Sequence, residues 1–577
     1  MSESHSHSLV IRNGLVVDGT GAEPFEADVA VSDGKISHVG AVSSRGAEEL
    51  DARGKIVTPG FVDIHTHYDG QAVWDTHLAP SAWHGVTSVV MGNCGVGFAP
   101  CKPADREKLV ELMEGVEDIP SPVMHEGLNW QWESFPEYMT VLKGRKWDID
   151  AACLLPHAAV RVFVMGERAI RHERATETEI AQMRHIAAEA VRAGAFGFST
   201  SRTLSHKSLS GEYTPTLRAN EDELTGISLG MKDAGSGFLE IVSDWDEPDA
   251  ESEFGMLRRV SEASGRPAVF SLSQRHDRTE DWKIMLREAD RAIADGHSIR
   301  PVCPPRAIGL LLGLEGSQNP FSGTPSYKTI AALPLRERVA TMRDREFRHR
   351  LLSEDPIAGS TFPLIERLSY RYMFRFGNPP NYVPRDEDSI AAIAAREGRA
   401  AADVAYDVML EDEGRGFIYA PLTNYAGHDL STPEAMLSNR NVVMGLGDGG
   451  AHVGFISDAG FTTWLLTYWQ KERLRFDLPE VIRRLTSDTA EAGGLLDRGI
   501  IRSGMKADIN VIDYDRLSFG QPYVTYDLPA GGKRLLQKAS GYEATIVSGT
   551  MTYRNGEPTG ALPGRVIEGQ QVSPERQ

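Results

Sequence analysis

The middle of the chain alternates short apolar runs with stretches of helical period, the pattern of parallel strands joined by helices. Apolar runs fall at 60–64, 87–91, 151–155, 196–199, 238–242, 269–273, 299–303 and 442–446. Eight such units predict an α/β fold with a (β/α)8, TIM-like barrel. A helix over 177–193 illustrates the connections: Ile180, Met183, Ile186, Ala187 and Val191 share one face, and Gly194 ends it. Both ends of the chain have a different texture, with short alternating strands at 9–12, 15–18, 27–31 and 35–39 and again at 509–512, 544–547 and 551–554. Asn13-Gly14, Asp33-Gly34 and Ser548-Gly549 read as the turns between them.

These patterns divide the chain. Residues 1–57 and 497–560 are expected to build one small β-sandwich domain, and 58–496 the barrel. The stretch 305–415 is too long for a βα loop and carries its own helices, over 335–348 and 390–412, so it is expected to be a lid inserted over the carboxyl-terminal mouth. A run at 416–420 is a surplus strand with no place in this scheme. Residues 561–577, rich in Pro, Gly and charge, read as a flexible tail.

Charge and composition narrow the partners. A formal net charge of −20 disfavours nucleic acid and anionic membranes, which need clustered Lys and Arg, and points to small molecules. Four unpatterned cysteines argue against a disulfide framework. With no signal-peptide pattern and no apolar run of spanning length, the expected location is cytoplasmic. His5 and His7 form an HxH, but in a polar segment that reads as a mobile tail.

Chemistry concentrates at three predicted strand ends. His65 and His67 follow the first run two residues apart, so on a strand they point the same way and suit one metal ion. Gly92-Asn93-Cys94-Gly95 follows the second run and adds a thiolate; zinc is the metal that fits such a mixture. Asp448 follows the eighth run, within Gly447-Asp448-Gly449-Gly450-Ala451-His452, and is the candidate catalytic carboxylate. Cys101, Cys153 and Cys303 read as packing residues.

Together these pieces resemble the amidohydrolase superfamily, in particular its N-acyl-D-amino-acid deacylase (D-aminoacylase) branch. The marks are the run from Pro59 to Asp69, the Gly-Asn-Cys-Gly at 92–95, Pro156-His157 with Arg161, the segment 194–200, Gly447-Asp448-Gly449, and the closing stretch from Asp497 to Asp508. The cysteine at 94 separates this branch from hydantoinases and dihydroorotases. The resemblance implies a barrel plus sandwich, with His65, His67 and Asp448 at one metal site and Cys94 sharing a second with histidines ending the fifth and sixth strands. This chain lacks both histidines: those strands run Glu240 to Trp245 and Ser271 to His276. One zinc ion is therefore favoured over two, with Cys94 as a ligand or a relic.

The implied reaction is hydrolysis of the amide of an N-acyl amino acid by zinc-activated water, with Asp448 as general base. His157, His276 and His452 are candidates for contact with substrate or its oxyanion, or for holding the loops in place. Arg161, Arg275 and Arg306 are candidates for pairing a substrate carboxylate. Two other readings stay open: a hydrolase of another amide, lactam or ester, and a catalytically silent barrel. A homo-oligomer is compatible with the surfaces such a fold offers.

Overall fold

The structure is a computed structural model that describes residues 6–208, 210–217, 219–357, 368–455 and 458–574. Both ends of the chain enter one nine-stranded sheet. Its strands run in the order Glu557–Pro558, Thr550–Arg554, Tyr542–Val547, Ile509–Ile512, Ile56–Pro59, His7–Val16, Phe25–Ser32 and Lys35–Gly40, with Gly46–Asp51 also paired to His7–Val16. The junction is Ile56–Pro59, parallel to the first strand and antiparallel to Ile509–Ile512. Turns from distant strands of this sheet are joined: Ala507 N–H donates to Gly34 O at 2.9 Å and Gly549 N–H to Ala507 O at 2.8 Å. Alternate residues Leu9, Ile11, Val29, Val31, Ile509, Val511, Ala544 and Ile546 fill its core.

Three sequence expectations change here. Asn13-Gly14 is not a hairpin turn but a bulge inside one long strand, with Asn13 at φ +57° and the register shifting between Ile11 and Gly14. His7 is not in a tail; it opens that strand, its ring nitrogens 3.1 Å from Ser32 Oγ and 2.9 Å from Ser44 Oγ. His5 lies outside the described residues. Nor are residues 561–574 loose: Gly564 exchanges backbone hydrogen bonds with Trp147, Ile567 N–H donates to Ala151 O at 2.8 Å, and Val566 and Ile567 are buried.

The remaining parallel strands form two runs. Phe61–Asp63, Val86–Met91 and Asp150–Cys153 pair in order, and Leu155–Pro156, Gly197–Arg202, Phe238–Ser243, Ala268–Ser271, Ile299–Cys303 and Val443–Met444 follow, every pairing parallel. Backbone hydrogen bonds link the last run back to the first: Asp448 N–H donates to His65 O at 3.2 Å and His67 N–H to Gly449 O at 2.7 Å. Val62, Val90, Ala152, Phe196, Phe238, Val269, Val302 and Val443, drawn from or beside eight of these nine strands, share one buried cluster. The helix Glu177–Arg192 begins with a capping box, Thr176 and Glu179 satisfying each other's backbone N–H groups.

The segment after Cys303 has its own core. Gly309–Gly313, Phe417–Pro421 and Phe374–Arg375 make an antiparallel sheet, which gives the unplaced run at 416–420 its partners. Leu310, Leu312, Phe347, Ile390, Tyr406 and Ile418 pack together there. Each long helix expected in this segment is two. Asp344 caps the second helix of the pair Leu335–Met342 and Arg345–Leu352, accepting from Phe347 N–H at 2.8 Å. Gly398, at φ +65°, ends Ile390–Glu397 before Ala401–Leu410 begins. Among the described residues no helix is long and apolar enough to cross a membrane.

Candidate metal centre

The carboxyl-terminal ends of the parallel strands open into a cavity of about 690 Å³ whose floor carries His65, His67, Cys94 and Asp448. His65 and His67 follow the strand Phe61–Asp63, Cys94 the strand Val86–Met91 and Asp448 the strand Val443–Met444. Cys94 sits at φ +56°, Leu446 at +60°, Asp448 at +49° and His452 at +49°. Left-handed backbone at four non-glycine residues around one cavity is strain of the kind that persists where a constellation is held for chemistry.

The donors converge. Asp448 Oδ1 lies 3.5 Å from His65 Nε2 and 3.6 Å from His67 Nε2, and Cys94 Sγ lies 3.3 Å from His65 Nε2. His65, His67 and Cys94 each offer a ligand atom within 4.8 Å of the others, and all three are buried. A tetrahedral zinc with bonds of about 2.0–2.3 Å sets its donors roughly 3.3–3.6 Å apart, the range of the two Asp448–histidine contacts and of the Cys94–His65 contact. Electrostatics agree. Burial pushes the imidazoles of His65 and His67 down to about 3, which keeps them neutral and able to ligate. Burial, followed by the Asp448 charge, lifts Asp63 well above the carboxylate range and Glu240 to about 8; Glu117 is raised by the same two causes. Asp63 Oδ2, Glu117 Oε2 and Glu240 Oε1 are buried without a hydrogen-bond partner in the protein. Unpartnered buried acids this close to the donor cluster fit a bound cation.

Glu117, Glu240 and His206 went unnoticed in the sequence. Glu117 ends the helix Arg106–Glu117, four residues after Met113 and seven after Val110, on the buried face; a carboxylate at that position was the available signal. Glu240 is an acid in the middle of a buried parallel strand, equally legible. His206 lies beyond the strand Gly197–Arg202, its Nδ1 2.8 Å from Ser201 Oγ, and lines the cavity with nothing in its spacing to mark it.

The other named residues divide. His452 and His276 line the cavity. His452 Nε2 is 3.4 Å from Glu117 Oε2, whereas His276 stacks on Tyr372 with ring centroids 4.3 Å apart, outside the donor cluster. His157 is a correction: it opens the helix His157–Met165, wholly buried behind the wall, with Nδ1 2.8 Å from Thr200 Oγ1 and Nε2 3.0 Å from Glu223 Oε1. Arg161 is committed to the same Glu223, at 2.7 Å. Arg306 pairs with buried Asp458 at 2.8 Å. Arg275 reaches the cavity but donates to Asp277, Asp246 and the Asp244 carbonyl. Asp244 accepts from Thr203 Oγ1 at 2.7 Å and Leu204 N–H at 2.8 Å, so it holds the neighbouring loop.

Over 98% of each chain, the protein is 25% identical to the D-aminoacylase of Alcaligenes xylosoxydans xylosoxydans. It superposes with a TM-score of 0.65 on a D-aminoacylase described as having a binuclear metal centre with one-metal activation and second-metal attenuation; identity is 21%, covering 97% of this chain and 100% of that one. It matches, again at 0.65 and with 22% identity, the N-acyl-D-glutamate deacylase of Bordetella bronchiseptica complexed with zinc and a phosphonate inhibitor, covering 97% and 99%. The model of the amidohydrolase family matches residues 48–553, which hold both runs of parallel strands and every residue lining the cavity; the chain belongs to that family and is a hydrolase acting on carbon–nitrogen bonds other than peptide bonds.

Proposed function

We propose that the protein is a zinc-dependent deacylase that hydrolyses the amide of an N-acyl amino acid, working at the mouth of a (β/α)8 barrel. The observation that carries this reading is the cluster of His65, His67 and Cys94 ligand atoms on the cavity floor, with Asp448 Oδ1 3.5 and 3.6 Å from the two histidine Nε2 atoms. The buried cluster with members in or beside eight of the parallel strands supports the barrel. One ion is favoured over two, because Cys94 already faces His65 and the fifth and sixth strands bring Val242, Ser271 and Ser273 to the cavity rather than imidazoles.

His65, His67, Cys94 and Asp448 would hold the ion. When bound, zinc supplies Lewis-acid polarisation of the scissile carbonyl and lowers the pKa of water to about 7. The Asp448 carboxylate, the one donor of the four that reaches further into the open cavity, takes the proton from the attacking water and passes it to the leaving nitrogen. His452 faces the same space and steadies the developing oxyanion. Val242, Ile308, Leu422 and Leu446 line the walls and exclude water from the acyl half.

A second reading is favoured by Arg275. Among the described lining residues it is the one arginine or lysine, and it is already matched by Asp246 and Asp277. Such a wall suits an uncharged amide, lactam or ester better than a free carboxylate. The test is metal analysis of the purified protein with hydrolysis assays on N-acetyl-D- and L-amino acids beside their uncharged amides, each with added zinc, cobalt or manganese. About one ion per chain and turnover of the acids is the expected result. Turnover of the uncharged compounds alone selects the second reading, and less than one tight ion with no hydrolysis at all removes both.

A further inference from the structure

Each histidine of the HxH pair has two ring nitrogens, and their far sides are occupied in a specific way. With both Nε2 atoms turned toward Asp448, the Nδ1 atoms point away from the donor cluster, and each faces a buried glutamate: His67 Nδ1 is 3.3 Å from Glu117 Oε1 and His65 Nδ1 is 3.8 Å from Glu240 Oε1. Neither glutamate is a surface group drawn in by chance, for their exposures are 1% and 2%. The other oxygen of each also faces a cavity residue, as a hydrogen-bond acceptor in Glu240 and at ion-pair distance in Glu117. Glu240 Oε2 accepts from Cys94 N–H at 2.9 Å, and Glu117 Oε2 lies 3.4 Å from His452 Nε2. Backbone joins the last pair as well, since His452 N–H donates to the Glu117 carbonyl.

We infer that Glu117 and Glu240 are positioning residues for the metal centre, each placing a carboxylate behind one histidine, where it favours the tautomer that carries its proton on Nδ1 and leaves Nε2 free to ligate. The assignment rests on the metal-dependent reading above and adds residues to it. A carboxylate behind a ligating imidazole orients the ring and raises its basicity, and losing one weakens metal binding by about 10–100-fold. Glu240 does this for His65 while pinning the left-handed turn at Cys94, so a single carboxylate sets the direction of two donors. Glu117 does it for His67 and at the same time orients His452, linking the ligand set to the residue assigned to the oxyanion. The alternative for two such acids, a structural role in packing, leaves no reason for both to meet imidazole nitrogens of the same motif.

The test uses the full-length protein, stripped by chelator and titrated with cobalt(II) in competition with a chromophoric chelator. Isosteric Glu117→Gln and Glu240→Gln should each bind cobalt about 10–100-fold more weakly than wild type and shift its visible absorption, while melting without metal at a temperature close to wild type. Should one variant fail to accumulate folded, the other makes the same comparison on the other histidine. Tight wild-type binding with both variants within about threefold and unchanged spectra overturns the assignment and leaves the deacylase reading standing. A wild-type chain that takes up no ion overturns both.

Discussion

Asp448→Asn separates charge from geometry better than any other substitution at the site. The residue sits at φ +49°, a conformation asparagine adopts readily, and its side chain is 12% exposed, so the change is close to isosteric and leaves the backbone in place. What it removes is the proton acceptor 3.5 and 3.6 Å from the two imidazoles. General acid–base help contributes roughly 10²–10⁴-fold, so kcat should fall by that factor, about 3–5.5 kcal/mol of barrier. The amide oxygen remains a neutral donor, and His65, His67 and Cys94 still hold most of the metal. Stability should move the other way. Burial first and the Asp448 charge second keep Asp63 and Glu240 raised, so deleting that charge relieves repulsion in the metal-free protein. The assay is kcat and KM on the best substrate of the panel, metal per chain, and melting in chelator. A kcat within tenfold of wild type at equal metal content refutes the general-base role; metal lost together with activity would make Asp448 a ligand only. A metal-free variant that melts well below wild type refutes the account of repulsion.

Other consequences lie away from the cavity floor. Asp150 is buried, with Arg498 Nη1 at 2.8 Å and Lys506 Nζ at 2.9 Å, and these partners outweigh its burial and hold it at about 2, below its ordinary value of 3.8. A depressed carboxylate contributes stability present above about pH 4 and lost as pH falls toward 2. Arg498→Met should therefore cost about 3–5 kcal/mol in urea unfolding at pH 7, with the gap from wild type narrowing between pH 4 and 2; a gap independent of pH would show that the ion pair is not its source. Leu312→Ala, in the separate core of the inserted segment, should cost about 2–5 kcal/mol locally, seen as faster proteolysis within that segment at unchanged metal content. Cleavage rates equal to wild type would mean that this core does not hold the segment together.

Much of the architecture was legible because local chemistry fixes it. Apolar runs of four or five residues alternating with stretches of helical period read as buried strands, and the HxH spacing put His65 and His67 together at the end of the first. The cysteine in its glycine-flanked turn and the aspartate after the last run were found the same way. What depended on distance in space was missed or misread. Glu117 lies 50 residues from His67 in the chain, and Glu240 175 from His65, and no local pattern says that an acid on one helix and another on a strand will face two nitrogens of one motif. The sequence equally favoured a hairpin at Asn13-Gly14, whereas pairing with Phe25–Ser32 on one side and Gly46–Asp51 and Ile56–Pro59 on the other kept the strand running through a bulge. His157 looked like a cavity residue from its place after a strand, yet Thr200 and Glu223 claim both of its nitrogens. Periodicity and spacing determine which face a side chain takes. Which partner waits on that face is decided by tertiary packing, because burying a charge or an imidazole requires a partner that only the folded chain brings within reach.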